Sequence, residues 1–269
     1  MDDFRVDVVR YIERCHLEDG GYFFAHIPPS SGMDTYFAVK SLSLLGVKPD
    51  RPQAIDSFLL DEFKANTIGG ITGIFVPVEV LIELGRLPDR LKEQALTRIA
   101  ALQNRAGGFG AYQDVDVEVQ SELQDTYRAL RILTTIGANF DREKVRHFIS
   151  GFQRADGGYG VKYSTLASTY YAMEIFKLLG VEATKLTASG DYLRKREENW
   201  QVQFIEDVYW LVLGLAALGE KTSVPDRVTR FVMMCQRQNG GFSRAIEMGI
   251  PTLEYTFYAL SILKEAGAL

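Results

Sequence analysis

One phrase recurs about six times along this chain: a Gly-Gly turn, then a segment that opens on an Asp-Thr-Tyr-like triplet and closes on Leu-Gly. Clear copies are Gly20-Gly21 with Asp34-Thr35-Tyr36 and Leu45-Gly46, Gly107-Gly108 with Asp125-Thr126-Tyr127 and Ile136-Gly137, and Gly157-Gly158 with Ser168-Thr169-Tyr170 and Leu179-Gly180. Partial copies run from Gly69-Gly70 to Leu84-Gly85, from Asp207-Val208-Tyr209 to Leu218-Gly219, and from Gly240-Gly241 to Ala266-Gly267. The closing glycines recur with a mean period of about 44 residues, the length of one helical hairpin with its loops. Repeats of this kind bury their apolar faces only by stacking on one another.

The two helices of each unit differ in character. The first is amphipathic, as in Arg227 to Arg237 or Lys144 to Gln153, and begins near an N-capping Asp at 50, 89, 141 or 226. The second is nearly uncharged: Asp207 to Gly219 has no charge after its first residue, and Tyr36 to Gly46 has only Lys40. An apolar helix must be covered on almost all sides. Six such helices inside and six amphipathic ones outside meet both demands, which predicts an all-α (α/α)6 toroid of twelve principal helices, one domain over residues 1–269. An open solenoid is the alternative. Its ends need polar caps, and the last unit here is as apolar as the middle ones.

With 269 residues and 46% hydrophobic content, the chain is large enough for a single core. A net charge of -5 with scattered basic residues leaves no footprint for nucleic acid. No apolar run reaches the roughly 20 residues of a spanning helix, and Met-Asp-Asp-Phe-Arg is no signal peptide, so a cytoplasmic protein is expected. Cys15 and Cys235 fall on apolar helical stripes five residues before a Gly-Gly, which predicts buried thiols rather than a disulfide or a metal site.

Counting back twelve residues from each closing glycine finds Asp34, Gly73, Asp125, Ser168, Asp207 and Tyr255, which a ring of parallel inner helices gathers at one mouth. An Asp there also caps a helix without further function. Two residues on stand Tyr36, Phe75, Tyr127, Tyr170, Tyr209 and Phe257, an aromatic wall suited to a long apolar chain or a carbocation. The third unit adds an acidic loop, Tyr112-Gln113-Asp114-Val115-Asp116-Val117-Glu118, followed by Glu122 and Asp125. Such carboxylates raise one another's pKa to give a proton donor, or bind Mg2+ with a substrate diphosphate. Lys162 and Arg244, in matching loops, are candidates for a phosphate, and Arg128 and Arg131 are charges on an apolar helix that need a partner.

Gln103-Asn104-Arg105-Ala106-Gly107-Gly108-Phe109-Gly110, Gln153-Arg154-Ala155-Asp156-Gly157-Gly158-Tyr159-Gly160 and Gln236-Arg237-Gln238-Asn239-Gly240-Gly241-Phe242 resemble the repeat of protein prenyltransferase beta subunits and squalene/oxidosqualene-type terpene cyclases. The resemblance covers essentially the whole chain and implies a toroid whose cavity holds an isoprenoid. For the transferases it implies a zinc triad of Asp, Cys and His. Asp207 matches the Asp, but Tyr209 stands where the Cys is expected and Tyr255 where the His is, which argues against zinc. For class II cyclases it implies an Asp-x-Asp-Asp acid; Glu122-Leu123-Gln124-Asp125 and Phe204-Ile205-Glu206-Asp207 occupy matching places, and Asp114-Val115-Asp116 resembles its first half. The expectation is acid-initiated cyclisation of an isoprenoid, with Asp125, Asp116 or Asp114 as the acid and Asp34, Tyr36, Tyr127, Tyr170, Asp207, Tyr209, Tyr255, Lys162 and Arg244 around the substrate. Mg2+-assisted prenyl transfer and prenyl binding without catalysis are the alternatives. The partners implied are the isoprenoid, a peripheral membrane contact, and a helical partner subunit or a second copy.

Overall fold

A computed structural model describes residues 2–110, 119–200 and 202–269. Among them are twelve α-helices in six hairpins and no strands. The outer helices are α1 (Asp2–Arg14), α3 (Pro52–Ala65), α5 (Asp89–Ala101), α7 (Arg142–Ser150), α9 (Thr187–Asn199) and α11 (Pro225–Met234). The inner ones are α2 (Gly32–Leu44), α4 (Thr72–Glu83), α6 (Val119–Thr135), α8 (Leu166–Leu178), α10 (Ile205–Ala217) and α12 (Leu253–Glu265). Each inner helix packs on the next, and α12 packs on α2, so the ring closes into a toroid. No helix among the described residues is long and apolar enough to cross a membrane.

The repeat phrase turns out to be a set of structural joints. At each closing glycine the backbone turns left-handed, with φ +69° at Gly46, and the next N–H returns to the helix, as Val47 N–H does to the Leu42 carbonyl at 2.9 Å. The Gly-Gly pair instead lets one unit touch the next. A Cβ on Gly240 would overlap the backbone carbonyl of Asp7, and one on Gly241 would lie 2.6 Å from the Tyr11 ring, so the sixth unit's turn rests directly on α1. The same fit recurs between Gly20 and Ala54, and between Gly157 and Ala188.

The triplet's threonine fastens the turn to the inner helix. Thr169 Oγ1 accepts the Tyr159 N–H at 3.0 Å and donates to the Thr165 carbonyl at 2.7 Å; Thr35, Thr126 and Thr256 accept from Tyr22, Phe109 and Phe242 in the same way. Those four turn aromatics are fully buried plugs. In the second and fifth units the threonine is replaced by Ile74 and Val208, and the Gly-Gly-aromatic turn is missing as well.

Four inner helices begin two residues earlier than the glycine count predicts, α4 begins one residue earlier and α6 six residues earlier. The N-caps of α2, α8 and α12 are Ser31, Thr165 and Thr252, whose hydroxyls accept the N–H of Asp34, Ser168 and Tyr255, so the counted residues sit inside the first turn. Cys15 and Cys235 are buried and unpaired in the outer layer, and burial pushes their thiols up to about 12 and about 11. Such thiols remain protonated and inert.

Candidate functional site

The six aromatic residues of the triplet position meet near the toroid axis. Ring centroids are 5.3 Å apart for Tyr36 and Phe75, 6.1 Å for Tyr36 and Phe257, 6.1 Å for Phe257 and Tyr209, 5.5 Å for Tyr209 and Tyr170, and 6.4 Å for Tyr170 and Tyr127. The rings therefore interlock into a septum rather than lining an open chamber. The Tyr170 and Tyr209 hydroxyls bond each other at 3.2 Å, and Arg131 donates to the Tyr127 hydroxyl at 3.3 Å. Burial pushes all three phenols up, so they act as neutral groups.

This septum divides the axis into two chambers. The one at the helix N-termini holds about 70 Å³ and is lined beyond the septum by Met33, Phe37, Gln124, Arg128, Tyr171, Glu254 and Tyr258. The one at the C-termini holds about 410 Å³ behind a rim of Lys40, Glu83, Arg131, Glu174, Lys177, Lys264 and Glu265. Rim charges pair across helices: Lys40 reaches Glu83 at 2.6 Å, and Arg131 reaches the buried Glu79 at 3.1 Å. Glu79 on α4 is thus the partner Arg131 requires.

The candidate residues of the sequence separate into groups. Tyr36, Tyr127, Tyr170 and Tyr209 come together and border both chambers. Asp34 lies just outside the N-terminal chamber, where its carboxylate accepts the Phe24 N–H at 3.5 Å; burial, with the nearby charge of Glu254, pushes its pKa up to about 6. Asp125 is flanked in sequence by the chamber-lining Gln124, and burial raises its pKa while Arg128, 3.8 Å away, opposes the rise. Arg128 also donates to Thr72 at 2.6 Å and lies over the Phe75 ring.

Asp207 accepts the N–H groups of Gln203 and Phe204 and so caps α10. Arg244 bonds Glu206 at 2.6 Å over the Phe204 ring, with Tyr255 near that pair. Lys162 is exposed on its loop. Asp114 and Asp116 lie outside the described residues.

The residues that the triplet frame overlooks share one pattern. Met33-Tyr36-Phe37, Gln124-Tyr127-Arg128 and Glu254-Phe257-Tyr258 are each an i, i+3, i+4 set, one helical face turned to the axis. The signal was present in the sequence one residue to either side of the positions singled out.

The donor set around Asp207 does not fit a zinc ion. Its carboxylate is engaged on backbone, the Tyr209 hydroxyl is bonded to Tyr170, and no thiolate or imidazole stands beside them. Among the described residues no three His, Cys, Asp or Glu side chains are grouped to hold a metal.

An all-helical ring with an axial aromatic site defines the class as an alpha-alpha toroid. The prenyltransferase alpha-alpha toroid domain matches residues 1–71, 60–202 and 199–268, and the chain belongs to that family. The beta subunit of geranylgeranyl transferase type 1 from Arabidopsis thaliana is 23% identical over 187 residues, covering 59% of this chain and 50% of that protein, so the match spans half its length. Candida albicans protein geranylgeranyltransferase-I complexed with GGPP has a TM-score of 0.75 at 15% identity, over 97% of this chain and 90% of that one. The type II terpene cyclase MstE from Scytonema, in complex with geranylgeranyl dihydroxybenzoate, has a TM-score of 0.64 at 11% identity, over 100% and 98% of the two chains. At these identities the structural likeness is one of fold.

Proposed function

We propose that the chain is an isoprenoid-processing enzyme of one toroid domain that cyclises a prenyl diphosphate or related polyprenyl compound by protonation, with Asp125 as the acid. One observation carries the reading: a desolvated carboxyl of raised pKa lies 3.8 Å from Arg128, which lines the chamber that six inward aromatic rings floor. In this scheme the Asp125 O–H bond breaks as a C–H bond forms at a substrate alkene, and the cation left behind faces aromatic π surfaces worth roughly 0.5 to 2 kcal/mol each. The final cation returns a proton to the carboxylate, which restores the acid. Geranylgeranyl groups in the names of both related structures support the substrate class, and the beta-subunit relative supports a helical partner chain.

The test is product analysis by gas chromatography and mass spectrometry after incubation with geranyl, farnesyl and geranylgeranyl diphosphates. Asp125→Asn should keep the wild-type circular dichroism and lower turnover by about 10²-fold or more. Full activity in Asp125→Asn, Asp116→Asn and Asp114→Asn would remove the proposed acid.

A second reading, prenyl binding without turnover, is favoured by the sizes of the two chambers: the one beside Asp125 holds about 70 Å³, whereas the one across the septum, away from Asp125, holds about 410 Å³ and falls within the roughly 300–1,000 Å³ of ligand pockets. On that reading the same incubations return unchanged substrate, and the Asp→Asn variants bind as the wild type does.

A further inference from the structure

The charges at the N-terminal mouth do not cancel. Arg128 lies 3.8 Å from Asp125, and Arg244 is bonded to Glu206 at 2.6 Å, so each arginine there has its own carboxylate. Glu254 and Asp34 have no Lys or Arg within ion-pair distance among the described residues. Glu254 faces the chamber, with Oε1 accepting the Tyr258 hydroxyl at 2.8 Å. Asp34 is nine-tenths buried beside it, and the two negative charges oppose each other.

Beyond Glu254 the chamber wall is nine aromatic side chains with Met33, Gln124 and Arg128, whose guanidinium is engaged by Asp125 and Thr72. Tyr209 and Tyr258 have centroids 4.4 Å apart, Tyr170 and Tyr171 are 4.9 Å apart, and Tyr36 borders the same space. A hard metal cation needs several oxygen ligands, and one carboxylate among π faces supplies too few. A soft organic cation gains from both. The volume of about 70 Å³ compares with roughly 10–15 Å³ needed to admit one water, so there is room for a trimethylammonium-sized head.

We propose that the N-terminal chamber is a binding site for a small methylated ammonium group, with Glu254 as counter-ion and the faces of Tyr36, Tyr171, Tyr209 and Tyr258 as walls. This site requires neither an isoprenoid nor a proton donor. It therefore stands or falls apart from the cyclisation chemistry.

Isothermal titration of the full chain with tetramethylammonium chloride, against sodium chloride at equal ionic strength, tests it. Saturable 1:1 binding is expected in the wild type, at least about tenfold weaker in the near-isosteric Glu254→Gln and unchanged in Glu265→Gln at the opposite mouth. Product formation by the wild type with the three prenyl diphosphates is scored separately, so cation binding without turnover, or turnover without cation binding, separates the two proposals. Absence of saturable heat in the wild type, or equal affinity in a folded Glu254→Gln, would overturn the inference.

Discussion

Gly240→Ala reads ring closure directly, because Gly240 is where the last unit's turn meets the first helix. Its φ of +93° is a conformation that costs an L-residue about 1–2 kcal/mol. The added Cβ would also overlap the Asp7 carbonyl oxygen and lie 2.6 Å from its carbon. Both atoms are backbone, so α1 must shift off the turn, an overpacking penalty of about 1–3 kcal/mol more. Gly219→Ala is the reference: its φ is +76° and nothing lies within 4 Å of the new Cβ, so only the conformational cost applies. Gly157→Ala, which meets the Ala188 carbonyl inside the ring, is the positive control. At roughly 2–4 °C per kcal/mol for a chain of this size, thermal melts should fall by about 2–8 °C for Gly219→Ala and by about 2–12 °C more than that for the other two. If Gly240→Ala matches Gly219→Ala while Gly157→Ala is severe, the seam between units six and one is not packed and the ring is open.

Three further outcomes follow from the joints and the charges. Thr169→Val keeps the shape but leaves the buried Tyr159 N–H without an acceptor, so urea unfolding should show a loss of about 1–3 kcal/mol, largely restored by serine; a loss below about 0.3 kcal/mol would exclude the clamp. Asp34, raised from 3.8 to about 6, keeps its proton in the folded state where the unfolded chain has released it. Its stabilising contribution is complete below 3.8 and is lost as pH rises through about 6, so wild type should weaken relative to Asp34→Asn across that window, and a pH-independent difference in urea midpoints would refute the assignment. Glu79→Gln removes the buried charge that faces both Arg131 and Lys40, and should lower the melting temperature clearly more than Glu265→Gln; equal effects would show that the pairing contributes little.

The fold was legible because its joints are residue types with one physical reading. Gly46 and its five counterparts each end an inner helix in the left-handed region, so counting them counts the units. Helix starts were less legible. Asp34 looks like a cap, yet Ser31 three residues earlier does the capping, and only the hydrogen bond distinguishes them. The triplet's threonine carries a turn-fastening role that could have been inferred from Ile74 and Val208, since the units lacking it also lack the turn it holds. Tyr36, Tyr127, Tyr170 and Tyr209 were legible as inward residues, but the sequence does not encode the ring's radius, and that radius decides whether such rings line a cavity or fill it. Glu254 went unnoticed because it belongs to the i, i+3, i+4 face rather than to the repeated triplet.

The central claim is that the axis of this toroid receives an isoprenoid. Native mass spectrometry with geranylgeranyl diphosphate tests it most directly, comparing wild type with Phe257→Trp, which enlarges a ring in the septum while leaving the outer surface untouched. The account predicts a 1:1 adduct with the wild type that is depleted in a folded Phe257→Trp variant. No adduct with the wild type, or one equally populated when the axis is filled, would contradict it.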